Sequence, residues 1–310
     1  MIKNNINDDN ELFSGFISNA MVAASTISRY QIMRCQLKAA FLFIRIINKK
    51  QKYEKNRIFA CITVKFNAMA EKSRYNYRVE PQDVDFTLRA TIPSLGGSIL
   101  NTAGIDAHGK GFGVDALNAD NHSWVLSRMA VEFDCQPTQY TDYTVATWIS
   151  DYGRVLSTRN FTLTDAAGRE FGRAVTQWAM IDLQSRSAID LSWVGDAHAD
   201  AIVDAAPPTD KPRKIRAVSP TATAEHRVVY SDIDFNRHVN TMRYIEMMLD
   251  MLPVDMLTQE APVRLDIHFL KECRFGQTLT VGCELRGRSA LFEISADGAA
   301  AAVRASIEWK

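Results

Sequence analysis

The chain has 310 residues, enough for two ordinary domains, and its 46% apolar content supports buried cores. Lys plus Arg and Asp plus Glu each number 36, so the formal net charge is zero and no broad basic composition marks a nucleic-acid binder. The average hides a split, because residues 1–68 hold 11 Lys/Arg against 4 Asp/Glu while the remainder is mildly acidic.

Cys35, Cys61, Cys135, Cys273 and Cys283 form no C-x-x-C pair. They read as reduced thiols of a cytoplasmic protein, neither a disulfide frame nor a zinc site. No run reaches the roughly 18 apolar residues of a membrane span; the best stretch, residues 39–47, is broken by Arg45. Asp8, Asp9 and Glu11 stand where a secretory signal would need its apolar core, so none is expected.

Residues 1–68 differ from the rest in being rich in Asn, Ile and Lys. A basic amphipathic helix on a membrane surface or a targeting segment would suit them. The compositional break at Met69 favours a plainer reading, an appended, non-catalytic extension ahead of a body that starts there.

Residues 75–79 then alternate like a strand, and Leu95, Ile99, Leu100 and Ala103 recur at helical spacing. Strand-like runs follow at 123–134, 143–150, 155–164 and 170–182. One helix followed by long hairpin strands predicts an antiparallel sheet wrapped on that helix, in the α+β class. Residues 196–222, with Pro207, Pro208 and Pro212, read as a linker between segments 69–195 and 223–310. Lys211, Arg213, Lys214 and Arg216 make it locally basic, a feature that is usually solvated and that could also attract an acidic partner.

After the linker the plan restarts. Residues 226–253 predict a strand over 227–230, a polar elbow, then a helix carrying Met242, Ile245, Leu249 and Leu252, capped by Asn240 or Thr241 and ended by Pro253. Strands are expected at 263–273, 278–286, 289–296 and 300–309. The two segments form an internal repeat: Asp83-Val84-Asp85-Phe86 aligns without a gap with Asp232-Ile233-Asp234-Phe235. In that register Asn236 faces Thr87 and His238 faces Arg89, so the second half alone keeps the polar constellation.

Asp234 can act as a base or orient a neighbour, Asn236 can meet a carbonyl or a water, and His238 titrates near neutrality. Glu272 and Cys273 follow on a later strand. The chain has no G-x-S-x-G elbow, phosphate loop or metal-spaced His pair. The chemistry on offer is water activation or a Cys nucleophile, acting on an acyl group held at a helix N-terminus.

The sequence resembles the acyl-acyl carrier protein thioesterases of plant plastids and bacteria. The resemblance rests on D-x-N-x-H-V-N at residues 234–240, on Lys271-Glu272-Cys273, and on the 38 positions from Asp234 to Glu272. It covers residues 75–309 and implies a double hotdog fold, two tandem repeats each wrapping an antiparallel sheet around a central helix.

The activity implied is hydrolysis of the thioester between a fatty acid and the phosphopantetheine arm of acyl carrier protein, with no cofactor or metal. By the same resemblance Glu272 activates the water and Asp234, Asn236 and His238 support it, with Cys273 the alternative nucleophile. Strand alternation would keep Glu272 and Cys273 from both facing the site. The first repeat would form the acyl pocket, with Trp124 and Trp148 as lining candidates. Arg237 and Thr241 depart from the family pattern; Arg237 could meet the phosphate, and Thr241 could still cap the helix. A thioesterase for acyl-coenzyme A and a non-hydrolytic acyl-binding protein are the competing functions. Hotdog sheets often pair, so a homodimer is one expectation; pairing of the two repeats within one chain is the other.

Overall fold

The computed structural model describes residues 71–258 and 261–310, so the readings for residues 1–68 lie outside it. In the first repeat, alternating residues form β1 (Ser73–Arg78), β2 (His122–Phe133), β3 (Asp142–Tyr152), β4 (Ser157–Asp165) and β5 (Glu170–Asp182). Its long helix is α1 (Ile92–Gly109), and two short helices, α2 (Val114–Asn118) and α3 (Ser192–Ala197), lie before β2 and after β5. The second repeat runs β6 (Ala222–Arg227), α4 (Thr241–Leu249), α5 (Val254–Leu257), β7 (Val263–Phe269), β8 (Thr278–Arg286), β9 (Ser289–Ala296) and β10 (Ala301–Trp309).

The strands make one sheet in the order β1-β3-β4-β5-β2-β7-β10-β9-β8-β6. Read inward from its two edges, the order is the same in both repeats, and β2 pairs antiparallel with β7 at the seam. Both α1 and α4 lie on one face. Leu95 and Ile99 of α1 and Tyr244, Ile245 and Met248 of α4 share a core with Val131, Phe161, Leu163, Ile267, Ile294 and Ile307 of the strands. The helices touch where Gly96 faces Met242; a Cβ there would lie 2.9 Å from the Met242 sulfur. This is the double hotdog architecture that the resemblance implies.

The opposite face of the sheet is crossed by the segment after α3. Val203 N–H donates to Ile149 O at 2.9 Å, and Trp148 Nε1 donates to Ala205 O at 3.4 Å. Arg213 N–H then donates to Asp266 Oδ1 at 2.9 Å, and Gly282 leaves room for Pro220, which would stand 2.5 Å from a Cβ. The stretch read as a linker is thus a strap laid on the sheet. In its basic cluster Arg213 is committed to Asp266 and Glu308, while Lys211, Lys214 and Arg216 are exposed.

Three boundaries differ from expectation. The strand expected over 227–230 is β6, which ends at Arg227, because the Asp232 carboxylate takes the Val229 N–H and bends the chain into a 3-10 turn at Tyr230–Asp232. Helix α4 ends at Leu249, and Met251 and Leu252 bond back to carbonyls three residues earlier, ahead of Pro253. Strand β7 stops at Phe269 because Leu270 and Lys271 N–H both donate to Ala302 O, at 2.7 and 3.1 Å. Glu272 and Cys273 therefore lie in a loop, and strand alternation does not decide which of them faces the site.

Candidate active site

The elbow is built by backbone-directed carboxylates. Asp232 is fully buried, with Oδ2 accepting Val229 N–H at 2.8 Å and lying 2.7 Å from His226 Nε2, and Oδ1 accepting Arg243 Nε at 3.0 Å. Burial alone would raise its pKa; these hydrogen bonds outweigh burial and lower it. Two residues on, Asp234 Oδ1 accepts the N–H groups of Asn236 at 2.8 Å and His238 at 3.2 Å. Arg237 sits between them in the left-handed region, φ 64°, closing the turn.

The first repeat makes the same elbow without the same chemistry. Asp83 takes Glu80 N–H at 2.9 Å, Asp85 takes Thr87 N–H at 2.7 Å, and Leu88 has φ 61° where the second elbow has Arg237. The helix caps correspond too: Thr91 Oγ1 accepts Ser94 N–H at 3.2 Å, and Asn240 Oδ1 accepts Met242 N–H at 2.8 Å. Of the two expected caps, Asn240 is the one used and Thr241 is the first helical residue. One N–H at the start of α4 is thereby committed to its own cap.

The turn aims His238 at the loop after β7, where His238 Nε2 lies 3.1 Å from Glu272 Oε2. The other oxygen of Glu272 is bonded by the guanidinium of Arg186, from the loop after β5. No motif or spacing marks Arg186, which stands 86 residues before Glu272. Burial is the largest cause holding the His238 pKa below its usual range; Glu272 and Asp234 pull it up, while Arg274 and Arg186 push it down. An imidazole kept neutral beside a half-exposed carboxylate can hold or exchange a proton with it.

Cys273 is fully buried, its carbonyl accepting Val239 N–H at 2.9 Å. Burial raises the pKa of its thiol, the hydrogen bond with Tyr244 lowers it in part, and the net shift is upward. That is the reverse of what activates a nucleophilic cysteine.

Beside the elbow an open cleft of about 610 Å³ is lined by Tyr230, Ser231, Ile233, Asp234, Phe235, Arg237 and Phe275. Asn236 is exposed at the tip of the turn. The structure thus joins Asp234, His238 and Glu272 through direct contacts, with Asn236 and Arg237 on the same turn. Both tryptophans are anchored elsewhere: Trp124 donates to Phe112 O at 3.1 Å, and Trp148 lies under the strap.

Known proteins with these features converge on one family. Residues 70–192 match the acyl-ACP thioesterase N-terminal domain and residues 216–310 the acyl-ACP thioesterase C-terminal domain. An acyl-[acyl-carrier-protein] hydrolase of Cuphea viscosissima is 28% identical over 160 residues, 49% of this chain and 38% of that protein. The oleoyl-acyl carrier protein thioesterase of Coriandrum sativum is 24% identical over 212 residues, 62% of this chain and 57% of that protein. The chain thus spans about half the length of these plant relatives. The crystal structure of an acyl-ACP thioesterase from Bacteroides thetaiotaomicron superposes with a TM-score of 0.70 at 36% identity, covering 77% of this chain and 98% of that one. With both domains matched in order and the paired-repeat fold shared, the chain belongs to the acyl-ACP thioesterase family.

Proposed function

We propose that this chain hydrolyses fatty acyl thioesters of acyl carrier protein, releasing the free fatty acid, with Glu272 as the general base. The observation that carries the reading is the Glu272–His238 contact at 3.1 Å, closed between the second elbow and the loop after β7. Glu272 takes a proton from a water, whose oxygen attacks the thioester carbonyl carbon. The C–S bond then breaks, and the pantetheine sulfur leaves and takes up the proton. His238 orients Glu272 and exchanges protons with it. Asp234 fixes the turn that presents Asn236 and His238, and Asn236 donates its amide to the carbonyl oxygen as charge develops there. Arg237, at the cleft, meets the phosphate of the phosphopantetheine arm. The acyl chain lies against the first repeat.

The buried, deactivated Cys273 argues against a covalent thiol route. Fatty acid release by purified protein from acyl carrier protein substrates, set beside the same acyl groups on coenzyme A, tests the reading. Preference for the carrier-bound thioester is expected. Preference for coenzyme A would move the assignment to an acyl-coenzyme A thioesterase, and acyl binding without release would leave only a binding protein.

A further inference from the structure

Arg186 stands on a turn built to hold it. Asp182 Oδ1 accepts the N–H groups of Gln184 at 3.0 Å and Ser185 at 2.6 Å, and Arg186 N–H donates to Asp182 O at 2.9 Å. Asn121 braces the same turn twice: its carbonyl accepts Leu183 N–H at 2.8 Å, and its side chain donates to Asp182 Oδ2 at 3.0 Å. Ile181 bridges to Ala188 across the base. Within this frame Arg186 takes φ 59°, an unusual conformation for a long side chain, and its guanidinium bonds Glu272 Oε1. The first repeat thereby reaches into the site of the second.

Glu272 is then gripped from both sides, by Arg186 at one oxygen and by His238 at the other. Each carboxylate oxygen has two acceptor positions, so the grip fixes the plane of the group and still leaves a lone pair for a water. The pair is solvent-accessible, with Arg186 41% and Glu272 28% exposed. Exposed ion pairs contribute little to folding stability. A turn braced this heavily to deliver one such contact points to orientation of the carboxylate.

We propose that Arg186 is a positioning residue of the hydrolytic site, supplied by the first repeat, which holds the Glu272 carboxylate in the orientation from which it deprotonates the attacking water. The inference rests on Glu272 being the base. It gives the first repeat a second role beside acyl binding: without its turn the site is incomplete.

The groups facing His238 are Glu272 and Arg274 from the loop after β7, Asp234 from the elbow and Arg186 from the first repeat. Removing the Arg186 charge takes away one of the groups that hold the His238 pKa down, so the His238 titration moves to higher pH.

The test uses the full chain with Arg186→Gln, Arg186→Lys and Glu272→Gln, assayed on acyl carrier protein substrates across pH, with His238 titrated by NMR. Arg186→Gln is expected to lose kcat by roughly 10- to 100-fold, the scale of a misplaced reacting group. KM and the melting temperature should stay close to wild type, the His238 titration should move up, and Arg186→Lys should recover part of the rate. Unchanged kcat with an unmoved His238 titration would overturn the inference, as would a loss confined to KM. A wild-type protein that needs Glu272 but tolerates Arg186→Gln refutes the role of Arg186 alone. Turnover that survives Glu272→Gln refutes the underlying assignment of the base.

Discussion

Glu272 has both carboxylate oxygens in polar contacts, while the thiol of its neighbour Cys273 is shut in the core against Tyr244. Their division of roles follows from the loop conformation after Phe269, and no side-chain pattern announces it. Residue types alone marked Asp234, Asn236 and His238 as a polar elbow able to do acid–base work, although Asp and Asn are also ordinary turn residues; it was the resemblance that joined Glu272 to them. Arg186 was illegible, since it depends on a turn in the other repeat coming close in space. The core position of Cys273 gives a direct test. Cys273→Ser keeps a partner for Tyr244 and is expected to retain kcat, while losing about 1–3 kcal/mol of stability to the buried hydroxyl. Denaturant unfolding and the hydrolysis assay together check this, and loss of turnover in a folded Cys273→Ser protein would revive the thiol route.

At the scale of elements, the two elbows show how one backbone device serves two ends. In each, an aspartate ties back to a 3-10 turn, a second aspartate closes a left-handed turn, and a side-chain cap starts a helix. The gapless alignment at Asp83 and Asp232 made this repeat readable, because turn residues act through local hydrogen bonds that sequence records. The ends of β6, β7 and α4 were not readable, since each is decided by a distant or competing acceptor: Asp232 for β6, Ala302 O for β7 and the i−3 carbonyls before Pro253 for α4. Loss of the α4 cap should cost stability and disturb the start of the helix. Asn240→Ala is expected to lower unfolding free energy by about 1 kcal/mol. Chemical denaturation measures it, and no change would mean that the cap contributes nothing to the elbow.

Across the whole molecule, the seam between the repeats carries its own charge network. Arg264 is 1% exposed and bonds Asp266 at 2.8 Å, the Glu132 carboxylate on β2, and the strap carbonyls of Asp210 and Lys211. Burial raises the Glu132 carboxyl, but hydrogen bonds from Thr209 and Arg264 and the charge of Lys310 outweigh it, taking the pKa from 4.5 down to about 2. Because the folded value is the lower one, this stabilisation is complete above pH 4.5 and is lost as pH falls toward 2. Removing the shared cation takes the most buried partner from both carboxylates and leaves Glu132 with Thr209 and Lys310 and Asp266 with Arg213, so Arg264→Met should cost about 3 kcal/mol and move acid unfolding to higher pH. Thermal melts across pH would show it, and an unchanged melt would contradict the network's role. Composition and pattern predicted two wrapped helices but not this seam, because Glu132, Arg264 and Asp266 read as outward strand positions until the strap is laid over them.

One carboxylate, Glu272, carries the proposed hydrolysis. Turnover of acyl carrier protein thioesters by Glu272→Gln, compared with wild type in the same preparation, tests it most directly. The expected result is folded protein with fatty acid release reduced at least 100-fold, the scale on which general-base catalysis operates. A folded Glu272→Gln protein that releases fatty acid at the wild-type rate would contradict it.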